Sequence, residues 1–378
     1  MASTVASARS FAAEAAIARE CARGHSALEL FQRVAERVRR VVPYDAGCWK
    51  PTDPETLLFT GFAIEDPEPG RLAAVRWRFV DNELLESDVA KFRELARRPR
   101  PVTTLHEATH GEPQRSTRYR EIHRALGFGA ELRAVFRSGS ACWGSVALVR
   151  GDGEPDFNRD EVAFVARVSS HVAQGLRLGI LLEAANEAAG DGSPGMLVLR
   201  EDLSIESLTP QAETWLARLP SDRGTGLELP AVVYAVARRV RAAVTDGGTP
   251  SSPRARVPLT SGIWLVVHAA PLSDGNGDGR IGIVLAPPDP LEITPLRLEL
   301  HALTKREQEV ARLLARGLST EEIAGRLWIS RHTVKDHTRA IYAKLDVTNR
   351  HELTAKLFFE HHMPAFDESN VREFVSDR

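Results

Sequence analysis

Residues 332–339 carry polar side chains at the spacing of one helix face. His332, Lys335, Asp336 and Arg339 recur three or four residues apart, so a helix displays them together. Ammonium and guanidinium groups neutralise phosphate charge, and hydrogen bonds to base edges can select a DNA sequence. The pattern therefore predicts a helix whose polar face enters the major groove of double-stranded DNA.

The charge around this helix supports the same interpretation. Residues 326–350 include six basic and two acidic side chains, a local charge of +4, whereas the formal net charge of the 378-residue chain is −2. A positive surface within a nearly neutral chain is typical of a protein that binds a phosphate backbone.

Asp336 is the exception on this face, because phosphate repels a carboxylate. Its side chain could accept a hydrogen bond from a cytosine amino group. Alternatively, it pairs only with Arg339 or caps the helix N-terminus. Both roles stay open at the level of sequence.

Three helix starts position this face. Thr304 and Ser319 are each followed three residues later by a glutamate, which is the capping-box pattern, and Ser330 supplies a plain hydroxyl cap. A short turn, Leu327–Ile329, separates the second and third helices. The apolar residues around it have helical spacing, which predicts that both helices pack inward: Ile323, Ala324, Leu327, Val334, Ile341 and Leu345.

This segment resembles the LuxR-type C-terminal DNA-binding domain, which is an all-α four-helix fold with a helix-turn-helix. The resemblance covers about a sixth of the chain. It rests on Leu303-Thr304, Arg306-Glu307, Glu309-Val310, Gly317-Leu318-Ser319, Glu322-Ile323-Ala324, Leu327, Ser330, Thr333-Val334-Lys335, His337, Ile341, Lys344-Leu345, Val347, Arg350 and Leu353.

The resemblance implies a role for each polar residue of the third helix. Lys335, Asp336 and Arg339 would face the bases, and the fourth helix, roughly 350–359, would form a dimer contact. The side chains nearer the DNA backbone would be Arg331, Thr333, His337 and Lys344. A four-helix interaction module that binds no DNA is the alternative for the same periodicity.

Composition sets limits on the rest of the chain. A hydrophobic content of 43% and a charged content of 26% are those of an ordinary soluble protein, and 378 residues suffice for two or three domains. No apolar run reaches the length of a membrane span, and charged residues occur too early for a secretory signal. We therefore expect a cytoplasmic protein with no membrane contact.

The N-terminal half has the pattern of an α+β layer structure. Two helices are predicted within residues 8–42, with Ser26 as a cap, and a long helix runs from Asn158 to about Ala185. Strands are predicted at 46–49, 57–62, 132–137 and 143–150, with a helical or irregular segment over 65–125. This order resembles a GAF domain, which implies a small-molecule sensor or a dimerisation module.

A second α+β unit follows. Strands are predicted at 196–199, 203–208, 254–259, 263–270 and 280–285, with helices at 209–219 and 229–244. This order resembles a PAS domain. The predicted boundaries are 1–24 for an N-terminal helix, 25–184 for the GAF-like domain, 185–195 for a linker, 196–286 for the PAS-like domain, 287–298 for a proline-rich connector, 299–363 for the DNA-binding domain and 364–378 for an acidic tail.

Other chemistries find little support in the sequence. Residues 274–279 match half of an EF-hand loop, but Leu285 stands where the last carboxylate belongs, so a hairpin turn is predicted. Cys48 and Cys142 are interpreted as buried apolar thiols, with a redox sensor as the alternative. The sequence contains no nucleophile elbow, phosphate loop or metal-ligand cluster, so no enzyme activity, metal or cofactor is predicted, and no ligand-binding residue is identified.

Together these features predict a one-component transcription regulator. Its N-terminal domains would sense a signal and form a homodimer, and its C-terminal helix-turn-helix would bind double-stranded DNA. Further predicted partners are a small-molecule effector of unspecified identity and RNA polymerase. The alternative is a signalling scaffold that recruits proteins and contacts DNA only weakly or without sequence preference.

Overall fold

The computed structural model describes residues 2–68, 70–139, 141–185, 193–220, 229–245, 253–259, 264–272, 279–289, 292, 296 and 298–358. The chain divides into two compact units between Pro287 and Pro288. The predicted acidic tail lies wholly outside the described residues, the predicted linker and the 274–279 loop lie mostly outside them, and half of the predicted connector does.

The first unit opens with α1 (Ala2–Cys21) and α2 (Ala27–Arg39), and the Ser26 hydroxyl accepts a hydrogen bond from the Glu29 amide to start α2. A five-stranded antiparallel sheet follows in the order β2-β1-β5-β4-β3. Its strands are β1 (Ala46–Pro51), β2 (Ala63–Glu65), β3 (Val102–Thr104), β4 (Phe128–Ser138) and β5 (Ala141–Gly151), and a long helix, α6 (Arg159–Ala185), comes after β5.

One face of this sheet packs against α2 and α6, and α1 packs on these two helices. Phe31 of α2 lies 5.7 Å from Trp49 of β1 and 5.9 Å from Phe136 of β4, measured between ring centroids. All three rings are buried, and Trp49 and Phe136 stack on each other. Aromatic rings bury large apolar areas, so this cluster anchors the helical layer to the sheet.

The segment between β2 and β4 covers the opposite face. It contains α3 (Arg71–Leu85), α4 (Phe92–Leu95), α5 (Leu105–Ala108), a 3₁₀ turn (Pro113–Arg115), a π-helical turn (Tyr119–His123) and a second 3₁₀ turn (Arg124–Leu126). The covered face carries charged residues: Lys50, Glu131 and Arg133 are fully buried. Buried charges require partners, and this segment supplies several of them.

The prediction of a strand at 57–62 is wrong. In this described segment Phe59 forms an isolated bridge with Thr52, and the strand β2 begins only at Ala63. Leu57 has a φ of +58°, and the Asp53 carboxylate accepts hydrogen bonds from Glu55 and Thr56, so the chain turns here. The apolar run reflects burial, not strand pairing. The short β3 lies in the segment for which no strand was predicted.

A second five-stranded antiparallel sheet, β7-β6-β10-β9-β8, completes the first unit. Its core includes Trp215, Val232, Val236, Leu265 and Ile283. The three predicted closing strands are present. The elements are β6 (Gly195–Leu199), β7 (Ile205–Leu208), α7 (Pro210–Arg218), α8 (Ala231–Thr245), β8 (Arg254–Pro258), β9 (Trp264–Pro271) and β10 (Ile281–Ala286).

The second unit includes the helices α9 (Lys305–Ala315), α10 (Thr320–Leu327), α11 (Arg331–Leu345) and α12 (Arg350–Phe358). Their shared core includes Val310, Ile323, Val334, Ile341 and Leu353. The coarse fold prediction is therefore confirmed: a mixed α/β region with two antiparallel sheets precedes a helical C-terminal part.

Candidate nucleic-acid interface

Local hydrogen bonds start the first two helices of the second unit. The Glu307 amide donates to the Thr304 hydroxyl at 3.3 Å, and the Thr304 amide donates to the Glu307 carboxylate at 2.6 Å. Ser319 and Glu322 form the same reciprocal pair, at 3.3 and 2.7 Å. Each pair satisfies amides that the first turn of a helix leaves without partners, so both helix starts are set by nearby residues.

The turn between α10 and α11 is short, and a backbone hydrogen bond closes it. Trp328 ends α10 with a φ of +55°, and the Ile329 amide donates to the Ala324 carbonyl at 3.1 Å. The Thr333 amide then donates to the Ser330 hydroxyl at 3.0 Å, which starts α11. This turn lets α10 support α11 through the buried residues Ile323, Ala324 and Val334.

The outward face of α11 carries the predicted polar residues. Val334, Ile341 and Leu345 are buried on the inward side, as the apolar spacing predicts. Thr333 and His337 are half-buried at the edge of the face. The exposed residues are Arg331, His332, Lys335, Asp336, Arg339 and Lys344.

Asp336 is paired with its neighbours on the helix. An Arg339 guanidinium nitrogen lies 3.3 Å from one carboxylate oxygen, and His332 Nε2 lies 3.5 Å from the other. The three side chains are largely exposed, so these contacts are weak and can exchange for contacts with a partner. The pairing with Arg339 is one of the two roles left open by the sequence, and a contact with cytosine stays a prediction.

Lys344 and Arg331 make contacts within the unit. The Lys344 ammonium lies 2.6 Å from the Glu307 carboxylate and 3.3 Å from the Ala302 carbonyl, which ties α11 to the start of α9. Burial raises the pKa of the Glu307 carboxyl, but hydrogen bonds from Lys344 and Thr304 outweigh it and hold this pKa below its usual value. Arg331 pairs with Glu321 across the turn.

Trp328 is a residue that sequence reasoning placed only in the turn. Its side chain is 93% exposed, directly before the start of α11. The signal was available in the run Leu327-Trp328-Ile329, because a turn this short cannot direct three consecutive apolar side chains into one core. The half-buried Leu327 and Ile329 pack against the core instead.

The structure also shows the surroundings of the two cysteines that the sequence analysis considered. Cys142 is buried, and burial raises the pKa of its thiol to about 11, which keeps it protonated; Cys48 is half-buried. Within the described ranges, no group of three or more His, Cys, Asp or Glu residues is arranged to hold a metal ion. A search of the same ranges finds no helix with the length and apolar character of a membrane span.

Comparison with known proteins identifies the second unit. The family described as "Bacterial regulatory proteins, luxR family" matches residues 301–357. A putative HTH-type transcriptional regulator of Aeromonas salmonicida is 49% identical over 59 residues, which are 16% of this chain and 30% of that protein. A nitrate/nitrite response regulator homolog of Haemophilus influenzae is 49% identical over 61 residues, 16% of this chain and 29% of that protein.

The chain thus spans less than a third of the length of these two curated relatives, both of which are named as regulators. Among solved structures, Escherichia coli SdiA is 14% identical, covers 92% of this chain and 95% of its own, and has a TM-score of 0.34. A Vibrio cholerae VqmA–ligand–DNA complex is 18% identical, covers 47% and 84%, and has a TM-score of 0.22. The family match confirms the predicted LuxR-type helix-turn-helix domain within residues 301–357.

Proposed function

We propose that this chain, whose residues 301–357 are a luxR-family helix-turn-helix domain, is a sequence-specific DNA-binding transcription regulator of the one-component type. The observation that carries the proposal is the exposed polar face of α11, which α10 supports from behind. A helix with these properties fits the major groove, and its basic side chains supply the contacts that DNA requires.

The residues of this face have different proposed roles, according to their position on α11 and to their contacts in the chain without DNA. Lys335 and Arg339 carry the base contacts, and Asp336 keeps Arg339 oriented until DNA binds. Arg331, Thr333, His337 and Lys344 lie where the DNA backbone passes. Of these, Lys344 must leave the Glu307 carboxylate to reach a phosphate, so we assign it the smallest contribution.

The two-sheet unit provides the regulatory half in this proposal. Residues 25–184 act as a GAF-like domain, and residues 196–286 act as a PAS-like domain. The strand orders of the two sheets support this assignment. A homodimer then binds a two-fold operator in the cytoplasm, and α12 contributes to the dimer contact. RNA polymerase contacts the DNA-bound dimer.

Selection from genomic DNA with the full-length protein, at two salt concentrations, tests the proposal. A short, two-fold symmetric consensus that persists at the higher salt is expected, because base contacts depend less on ionic strength than phosphate contacts do. Binding without a consensus, lost at the higher salt, contradicts it and favours the scaffold.

A charge-matched pair of variants tests the assignment of α11. Lys335→Ala with Arg339→Ala should weaken operator binding at least about thirtyfold, since each base contact contributes roughly 1–3 kcal/mol. Lys305→Ala with Arg316→Ala removes the same charge from exposed positions on or next to α9 and should leave most of the affinity. Equal losses in the two variants would show that charge alone, and not the α11 face, determines binding.

A further inference from the structure

The first sheet and α3 enclose a cavity on the charged side of the sheet. Its volume is about 490 Å³, including the part that opens to solvent. The wall is mainly apolar: Leu72, Val75 and Phe79 of α3 face Ala147 and Val149 of β5. An apolar cavity of this kind favours an apolar occupant, because binding removes apolar surface from water.

The lining also contains polar side chains, among them Arg76 and His123. His123 lines the cavity and is 4% exposed, yet its Nδ1 has no hydrogen-bond partner among the described residues. Its other ring nitrogen, Nε2, lies 3.7 Å from Oε1 of the fully buried Glu131. A buried polar atom without a partner destabilises the fold, so a ligand that donates a hydrogen bond to this atom binds more favourably than one that does not.

The surroundings determine which hydrogen-bonding group His123 offers. Arg118 donates two hydrogen bonds to Glu131, at 2.8 and 3.1 Å, which keeps the carboxylate ionised. Burial lowers the pKa of the His123 imidazole to about 4, despite the nearby Glu131 charge. Because Nε2 is the ring nitrogen beside the ionised carboxylate, the surroundings favour the neutral tautomer with its proton on Nε2, which leaves Nδ1 as an acceptor.

We propose that this cavity binds a small, mainly apolar ring compound with one hydrogen-bond donor, which donates to His123 Nδ1. A phenolic hydroxyl is the simplest donor of this class. The sheet and helix form the apolar walls, and His123 selects against compounds that have no donor.

Contacts on another face of α3 connect the cavity to the second sheet. Trp77 and Asp81 of α3 are not among the lining residues, and they contact Tyr234 and Arg238 of α8, which packs on the second sheet. A compound that displaces Val75 or Phe79 therefore moves a helix that both sheets share. In this sense the inference rests on the proposed regulator, whereas binding to the cavity does not.

Calorimetric titration of the full-length chain with phenol and with toluene, in the absence of DNA, tests the site. The two probes have nearly the same shape and differ in the donor. Saturable phenol binding is expected, because His123 offsets the cost of removing the hydroxyl from water. In His123→Phe, the preference for phenol over toluene should fall at least about tenfold.

A second pair of variants tests the location without altering His123. Val75→Phe fills the cavity from α3 and should abolish saturable phenol binding, whereas Ala74→Phe adds the same ring at an exposed neighbouring position and should leave it intact.

Three results would overturn the inference: absence of saturable phenol binding, unchanged binding in Val75→Phe, or an unchanged preference in His123→Phe. None of them bears on DNA selection, and failure to select an operator leaves phenol binding untouched, so the two proposals fail separately.

Discussion

The indole ring of Trp77 stacks on the phenol ring of Tyr234, with ring centroids 4.1 Å apart and an angle of 23° between the planes. Trp77 belongs to α3, which covers the first sheet, and Tyr234 belongs to α8, which packs on the second sheet. Beside the stack, the Tyr234 hydroxyl donates to Asp81 at 3.2 Å, and the Arg238 guanidinium donates to the same carboxylate at 2.6 Å. Farther along, the fully buried Asp53 accepts from Arg256 at 2.9 Å.

These contacts predict that the two sheets of the first unit unfold together. Tyr234→Ala removes the stack and the hydroxyl, and should lower the free energy of unfolding by roughly 1–3 kcal/mol, because a packed aromatic pair contributes beyond its buried area. Tyr234→Phe keeps the stack and should lose less than about 1 kcal/mol. Urea unfolding of both variants measures the difference. Equal losses would assign the stability to the hydroxyl and not to the ring.

The buried His123 predicts that stability falls in mild acid. Burial lowers its pKa from 6.5 to about 4 in the folded chain, with Arg118 and Arg133 acting in the same direction and Glu131 and Asp88 opposing them. Below pH 6.5 the unfolded chain therefore binds a proton that the folded chain does not, and folding weakens as the pH falls. Between pH 7 and pH 5 this residue should cost about 2 kcal/mol.

Urea unfolding at pH 7, 6 and 5 measures this loss, and His123→Phe is the control that lacks the titrating group. The difference in unfolding free energy between the two proteins should change by about 2 kcal/mol over this range. The carboxyl of Glu131, whose pKa is lowered to about 2, contributes its own loss only below about pH 4.5. Parallel pH profiles for both proteins would show that His123 is not kept neutral by the fold.

The backbone at Trp328 predicts a stabilising substitution. A residue with a side chain pays about 1–2 kcal/mol for a left-handed conformation, and Trp328 recovers little through packing because it is almost wholly exposed. Trp328→Gly should therefore raise the free energy of unfolding of the second unit by about 0.5–1 kcal/mol, after the entropy cost of glycine. Trp328→Ala keeps the Cβ atom and should show no such gain in thermal unfolding. An equal gain in Trp328→Ala would show that removal of the exposed indole, and not the backbone conformation, stabilises the unit.

The division of the chain predicts that residues 1–287 fold without the helical unit. The two sheets have cores of their own, and the helices α9 to α12 close a separate core around Val310, Ile323 and Val334. A chain ending at Pro287 should stay soluble and unfold in a single cooperative urea transition. Residues 288–378 provide the complementary sample. Non-cooperative unfolding of 1–287 would show that this unit needs the C-terminal part.

Local interactions explain how much of the C-terminal unit could be predicted. The capping pairs Thr304 with Glu307 and Ser319 with Glu322 join residues three apart, so sequence spacing alone specifies their hydrogen bonds. The polar and apolar faces of α11 follow from helical periodicity in the same way. Which of the exposed residues contact DNA stays a prediction.

The tertiary structure decided what happens to the charges of the first sheet. Lys50, Arg118, Glu131 and Arg133 look like surface residues in the sequence, yet the fold buries all four and pairs Arg118 with Glu131. Likewise, Asp53 meets Arg256 across 203 positions of the chain. Burial and pairing of this kind depend on which strands become neighbours.

The sequence by itself determined the helix-turn-helix, because its helices are specified by hydrogen bonds and apolar contacts between residues that are close along the chain. Only the tertiary structure decided the cavity beside His123 and the shared helix α3. Their residues come from separate strands and turns, and their free energy arises from desolvation and charge pairing after those segments meet.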